Sequence, residues 1–231
     1  MLSKGKNFLM KRYLKARNNL NETNFLTISG ISVIIKDPIA FQLSIEDLKD
    51  TIGAMPDHFL SDVDYIIFGK FEFLKKKGYA AAYNDGAIYV SNTQEDNKQI
   101  YDDIIHEIGH SVEERYKDFV YSDMTLEREF LSKRKILQNE LQLYGISLPD
   151  AKIMNPEYDH ELDAYFSDIL GYPKMTVITQ GIFYSPYGAT SLREYFANGF
   201  EAYFYHKDFY LKKVSPVLFN KLEKLELGDV L

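Results

Sequence analysis

Strand-type and helix-type segments are separated along this sequence, and the change falls near Asn92. Before that point, a β-branched stretch at 25–35 predicts a strand pair or one bulged strand around Gly30, and a short apolar stretch at 64–68 predicts a buried strand. After it, apolar residues recur with the helical period of about 3.6 residues. Strands that come early and helices that come late are typical of an α+β fold, here with a small mixed or antiparallel sheet and a mostly helical C-terminal part.

A β-hairpin is predicted just before this change. Residues 79–83 and Ala87–Ser91 have the composition of strands, and they flank Asn84-Asp85-Gly86. The Asp-Gly pair tolerates the positive φ angles that a tight hairpin turn requires. The sequence therefore predicts two antiparallel strands joined at this turn.

The helical part contains several separate predicted elements. Helices are expected over about 95–117, 125–144, 157–170, 191–206 and 207–225, with an extended stretch at Thr176–Phe183. No internal repeat, low-complexity tract or flexible linker divides the sequence. We therefore expect one domain over residues 24–231.

The motif that carries chemistry reads HEIGH at residues 106–110. On a helix, positions i and i+4 lie on one face, so His106 and His110 can bind one metal ion together. Glu107 lies between them, where it can take a proton from a water molecule and later give it to a leaving amine. The chain has no cysteine, so any metal ligands must be His and carboxylate side chains. This pattern is the HExxH of zinc peptidases.

Helical periodicity divides the HEIGH helix into two faces. The apolar stripe, predicted to lie in the core, consists of Tyr101, Ile104, Ile105, Ile108 and Val112. The opposite face holds both histidines together with Asp103 and Glu113. We expect this face to point outward, either into a cleft or simply into solvent.

A third ligand is expected because catalytic zinc is held by three protein side chains and a water molecule. Residues 191–204 predict a helix on which Glu194 and Asn198 share one face. Glu194 can point at the metal, and Asn198, one turn later, can hydrogen-bond one of the ligands. His160 and Glu161 are the alternative source of a third ligand.

Together these motifs resemble the zinc-peptidase domain of the anthrax lethal factor family, which includes the clostridial Pro-Pro endopeptidases. After HEIGH, the chain reads YGATSLREYFANGF at residues 187–200. The family's third ligand is the Glu of an EFFAxxF helix, and that position is Glu194. The resemblance implies a gluzincin fold and a zinc-dependent endopeptidase that holds one Zn²⁺ per chain and cleaves a protein or peptide substrate.

The resemblance also implies a role for each site residue. His106, His110 and Glu194 would bind zinc, and Glu107 would act as general base and then as general acid. Tyr187 stands seven residues before Glu194, where the family has a tyrosine that assists the transition state. It would donate a hydrogen bond to the oxyanion of the tetrahedral intermediate.

A substrate-binding strand is expected as well. In zinc peptidases of this type, an edge strand holds the extended substrate through main-chain hydrogen bonds. The strand at the corresponding place in the chain consists of Ala87, Ile88, Tyr89, Val90 and Ser91. The alternative for this strand is a position in the interior of the sheet.

Two features depart from the family pattern. Glu194 lies 84 positions after His110, which predicts a helical insertion at about 118–175. The acidic residue that the family has four positions after the ligand Glu is Asn198 here, which would orient a ligand His without adding charge.

The N-terminal residues 1–23 are predicted to form a separate basic segment. The first 20 residues carry six cations and no acid, although the whole chain has 27 basic and 34 acidic residues and a net charge of −7. The remainder of the chain after residue 20 is therefore strongly acidic, which does not suggest that it binds nucleic acid. Residues 1–20 are either a solvated end or a docking segment for an anionic surface or a protein.

The remaining expectations concern location and an alternative function. No run of 18 apolar residues occurs, so no membrane span is expected. Without a signal peptide or cysteine, a cytoplasmic, virion-associated or non-classically delivered protein is expected. The alternative to an enzyme is a catalytically silent protein of the same fold, serving as a structural or binding component of a phage virion or a toxin.

Overall fold

A computed structural model of the chain describes residues 25–39, 43–94 and 96–229. The fold is α+β, with a five-stranded sheet followed by a mostly helical remainder. The chain divides into two compact units, and the boundary follows Ile104, inside the helix Asn97–Arg115. The basic segment predicted at residues 1–23, with its docking role, lies outside the described residues.

In the described part of the first unit, the sheet is accompanied by three short helices and the start of the helix Asn97–Arg115. In chain order its elements are β1 (Phe25–Ile28), β2 (Ile31–Ile35), α1 (Ile45–Gly53), α2 (Asp57–Leu60), β3 (Tyr65–Gly69), α3 (Glu72–Lys77), β4 (Ala81–Asn84) and β5 (Ala87–Ser91). The predicted hairpin is confirmed: Asp85 and Gly86 both have positive φ, and Ala81–Asn84 pairs antiparallel with Ala87–Ser91.

The sheet is mixed, with the strand order β1-β2-β3-β5-β4. The two central pairs, β2 with β3 and β3 with β5, are parallel, whereas the outer pairs are antiparallel hairpins. Val33, Ile66 and Ile88 lie side by side in register and are fully buried. Ile34 and Ile67 on the other face are buried too, as expected for parallel strands with both faces covered.

The prediction that Ala87–Ser91 is an edge strand is wrong. This strand lies inside the sheet, because β3 pairs with it on one side and β4 on the other. The crossover through α3 places the hairpin so that its second strand, rather than its first, meets β3. The backbone groups of Ala87, Ile88, Tyr89, Val90 and Ser91 are therefore committed to two ladders, and among the described strands β1 and β4 form the edges.

The second unit is helical. Its elements are the C-terminal part of α4 (Asn97–Arg115), α5 (Lys117–Tyr121), α6 (Thr125–Leu143), α7 (Asp150–Ile153), α8 (His160–Ala164), the π-helix Tyr165–Leu170, α9 (Tyr172–Thr179), the 3₁₀ turn Tyr187–Ala189, α10 (Leu192–Phe204), α11 (Tyr210–Val214) and α12 (Pro216–Leu227).

Helix α6, which falls within the predicted insertion at 118–175, is part of the core of this unit. Phe130 of α6 contacts the rings of Phe183 and Tyr195, and all three side chains are buried. Arg134 is fully buried and donates hydrogen bonds to the carbonyls of Ile153 and Thr190. Residues that are far apart in the sequence are thus joined through this helix.

Three predictions for the helical part of the chain differ from the structure. The stretch Thr176–Phe183 is predicted to be extended, but α9 covers its first half, because Met175 and Ile178 are buried one helical turn apart and outweigh the strand propensity of the sequence. The helix predicted over 157–170 begins at His160 and ends as a π-helix. The helix predicted over 207–225 is interrupted at Ser215, because a proline follows and starts a new helix. Within the described ranges, no helix has both the length and the apolarity to cross a bilayer.

Candidate metal centre

Helix α4 carries the HEIGH motif on an unbroken helical turn. His106 and His110 lie one turn apart, with their ring centroids at 5.0 Å. Ligand atoms of these two residues and of Glu107 all lie within 4.8 Å of one another. The motif therefore forms the compact group that the helical spacing predicts.

Of the two alternatives for this face, the one that places it in solvent is wrong, since His106, Glu107 and His110 are each at most 9% exposed. Helix α10 covers them at close range. A Cβ atom on Gly109 would lie only 3.2 Å from Phe200 of α10, so the absence of a side chain there lets the two helices approach. The periodicity separates apolar from polar faces, but it does not show that a second helix packs on the polar one.

Glu194 enters the site from the first turn of α10. Ser191 is the N-cap, and its hydroxyl accepts a hydrogen bond from the backbone N–H of Glu194. The Oε2 atom of Glu194 lies 2.9 Å from Nε2 of His106 and 3.4 Å from Nε2 of His110. One carboxylate oxygen thus meets the same nitrogen of both histidines.

These distances fit a shared zinc ion. Around tetrahedral zinc with ligand bonds of about 2.0–2.2 Å, neighbouring ligand atoms lie about 3.3 Å apart. The separations of 2.9 and 3.4 Å between Glu194 and the two rings are close to that value. Two neutral imidazoles and one carboxylate are also the donor set that zinc takes in catalytic sites.

The electrostatics of the three side chains are strongly coupled. Burial alone raises the pKa of Glu194, but hydrogen bonds from His106 and His110 outweigh it and hold that pKa well below its ordinary value. Burial by itself lowers the pKa of His106. Hydrogen bonds to Glu194 and Glu201 more than offset this effect and raise the pKa to about 10. Glu194 is therefore ionised, as a metal ligand must be.

Tyr187 lies beside His106. It begins the 3₁₀ turn Tyr187–Ala189, and its ring centroid is 5.7 Å from that of His106. The structure therefore brings Tyr187 next to one of the two histidines. Its ring is half-buried.

Asn198 does not take the position predicted for it. Its Oδ1 accepts a hydrogen bond from the hydroxyl of Ser185 at 2.9 Å. The same atom lies 3.0 Å from the place where a Cβ on Gly188 would be, so Asn198 packs against the turn that carries Tyr187. The side chain is buried and supports this turn instead of a ligand histidine.

Two other carboxylates contact the histidines, and the sequence reasoning did not assign them this role. Glu201 lies 3.4 Å from Nδ1 of His106, through Oε2. Glu113 lies 3.3 Å from Nδ1 of His110, also through Oε2. Glu113 is on the predicted polar face of its helix and follows His110 at the i+3 spacing, which is the signal that could have identified it.

Glu113 has two further partners. Tyr121 donates a hydrogen bond to its Oε1 at 2.5 Å, and Arg193 lies 3.3 Å from its Oε2. Burial, and then the charge of Glu113, raises the pKa of Tyr121, so its hydroxyl remains a donor. Tyr121 begins the region predicted as an insertion, which places this region in contact with the ligand network.

The alternative third ligands, His160 and Glu161, are exposed side chains. Glu161 forms an ion pair with Lys152 at 2.5 Å, and its side chain is 84% exposed. His160 is exposed at the start of α8. Of the third-ligand candidates, Glu194 is the one in contact with the histidines.

Comparisons of the chain with protein-family models, curated proteins and solved structures find no match. The geometry of the site and the motifs of the sequence are thus the observations from which a function is inferred.

Proposed function

We propose that the protein is a zinc-dependent endopeptidase of the lethal factor-like gluzincin type. The observation that carries this proposal is the position of Glu194, whose Oε2 lies within 2.9 and 3.4 Å of the Nε2 atoms of two histidines 84 or more positions earlier in the chain. A polar helix face formed by chance has no reason to attract a buried carboxylate from a second helix, because burying a charge is costly unless it is compensated.

The proposed chemistry assigns each residue one task. His106, His110 and Glu194 would hold the ion, which when bound supplies Lewis acidity toward water and a peptide carbonyl. Glu107 lies among the ligand atoms, where its carboxylate accepts a proton from the attacking water and then gives it to the departing amine. Tyr187 donates a hydrogen bond to the carbonyl oxygen as negative charge develops on it.

The first experiment measures zinc bound per chain in the purified protein and in Glu194→Ala. We expect about one zinc in the parent and a large loss in the variant, because catalytic zinc needs three protein ligands. Glu161→Ala is the matched control, since Glu161 is an exposed carboxylate outside the site and should retain the metal. A parent that stays free of zinc after the metal is supplied contradicts the proposal.

Activity is tested separately with a peptide library. We expect cleavage by the parent and none by Glu107→Ala, which keeps all three ligands and therefore its zinc. Zinc binding without any cleavage would favour the catalytically silent alternative, a structural or binding component with the same fold.

A further inference from the structure

His106 has two ring nitrogens, and a different carboxylate faces each of them. Nε2 lies 2.9 Å from Glu194, and Nδ1 lies 3.4 Å from Oε2 of Glu201. Both carboxylates belong to α10 and are two helical turns apart. The ring is therefore held from both sides by one helix.

Glu201 is itself fixed in place. Its side chain is 16% exposed, and its second oxygen, Oε1, accepts a hydrogen bond from Nε2 of His206 at 3.1 Å. The carboxylate thus bridges two imidazoles, one in the ligand group and one nearer the surface.

The geometry points to Glu201 as the residue that positions His106 for metal binding, a role that rests on the proposed zinc function. When Nδ1 donates its proton to Glu201, the tautomer is fixed and the lone pair of Nε2 faces the metal. The negative carboxylate also makes the imidazole a stronger ligand. Asn198, the position that the sequence favours for this role, is hydrogen-bonded to Ser185 instead.

The test is a zinc affinity measurement by chelator competition on metal-stripped protein, so it needs no substrate. We expect Glu201→Ala to weaken zinc binding about 10–100-fold, as loss of an outer hydrogen-bond partner does in other zinc sites, and Asn198→Ala to change it by less than about twofold. Glu201→Gln should lie between the parent and Glu201→Ala, because its amide oxygen still accepts the hydrogen bond but carries no charge.

Two controls separate positioning from general damage. Metal-free thermal unfolding shows whether each variant is folded, and Glu201→Gln, which preserves side-chain volume, remains available if the alanine variant unfolds. The visible absorption bands of the Co²⁺-substituted protein report ligand geometry, and we expect them to shift in Glu201→Gln but not in Asn198→Ala.

The outcomes distinguish this inference from the proposed function. If the parent binds zinc and both Glu201 variants bind it equally well with an unchanged Co²⁺ spectrum, the positioning role is wrong and the metal site stands. Weakening by Asn198→Ala in place of the Glu201 variants would also overturn it. A parent that binds no zinc overturns the function and the positioning role together.

Discussion

The two histidines of the site are supported in different ways. Nδ1 of His110 meets Glu113, three residues later on the same helix, whereas Nδ1 of His106 meets Glu201, which lies 95 positions away on α10. The first contact forms as soon as α4 is helical. The second exists only when α10 has docked, as does a contact of Arg193 Nε with Nδ1 of His110 at 3.2 Å. The carboxylate that faces Nδ1 is therefore local for His110 and tertiary for His106.

The residues that surround the two histidines also differ. On the His110 side, Tyr121 and Arg193 hold Glu113 and contribute no group to the proposed chemistry. On the His106 side, Tyr187 packs beside the ring, and Asn198 supports the turn from which Tyr187 projects. The His106 side therefore carries the proposed catalytic tyrosine, and the His110 side is chiefly structural.

A pair of tyrosine variants gives the largest expected contrast. Tyr187→Phe should lower kcat about 100–1000-fold, as removal of an oxyanion donor does, while zinc affinity stays unchanged. Tyr121→Phe makes the same chemical change on the His110 side. Because it leaves a buried oxygen of Glu113 without its donor, it should reduce the free energy of unfolding by about 1–3 kcal/mol.

Cleavage assays and thermal unfolding on both tyrosine variants check this contrast. Equal losses of kcat in the two variants would contradict the division of the site into a catalytic and a structural half.

The pH dependence of zinc affinity is expected to be the next largest effect. Burial lowers the pKa of His110, but hydrogen bonds to Glu113 and Glu194 raise it above the ordinary value, as happens for His106. A raised histidine pKa means that the metal-free rings hold protons near neutral pH, and zinc must displace them. Affinity should therefore fall about tenfold per displaced proton for each unit that the pH drops.

Chelator competition between about pH 6 and pH 8 measures this slope, and calorimetry in buffers of different ionisation enthalpy counts the protons released. Glu201→Gln and Glu113→Gln should each reduce the proton count, because each removes one carboxylate that favours the charged ring. An affinity that is flat over this range would show that the rings are already neutral in the metal-free protein.

The smallest expected effect tests the docking of the two helices. In Gly109→Ala the new Cβ would lie 3.2 Å from Phe200, which is fully buried and cannot move aside, so the helices must separate slightly. We expect a loss of about 1–3 kcal/mol in the free energy of unfolding, as overpacking produces. Zinc binding should weaken too, through the contact of His106 with α10.

Gly53→Ala is the matched control for Gly109→Ala, because Gly53 is a helical glycine with no neighbouring atom within 4 Å of a new Cβ. It should be neutral or slightly stabilising. Denaturant unfolding of both variants provides the comparison, and a Gly109→Ala protein as stable as Gly53→Ala would mean that the close approach of α4 and α10 does not constrain the site.

Local rules predict those parts of the structure whose causes lie within a few residues. The hairpin at Asp85-Gly86 follows from the φ angles that these residues tolerate, and the helix carrying HEIGH follows from its apolar stripe. The same rules fail at α9, where β-branched residues favour a strand but burial of Met175 and Ile178 favours a helix.

The sequence by itself determined which side chains can form the site: His106 and His110 at helical spacing, the carboxylate of Glu107 between them, and a capped carboxylate at Glu194. These depend on helical period and capping, which act over one turn. Only the tertiary structure decided that β5 lies inside the sheet and that Glu201, not Asn198, faces His106. Both features depend on which elements pack together. The side-chain pattern along one segment does not specify the segment that packs against it.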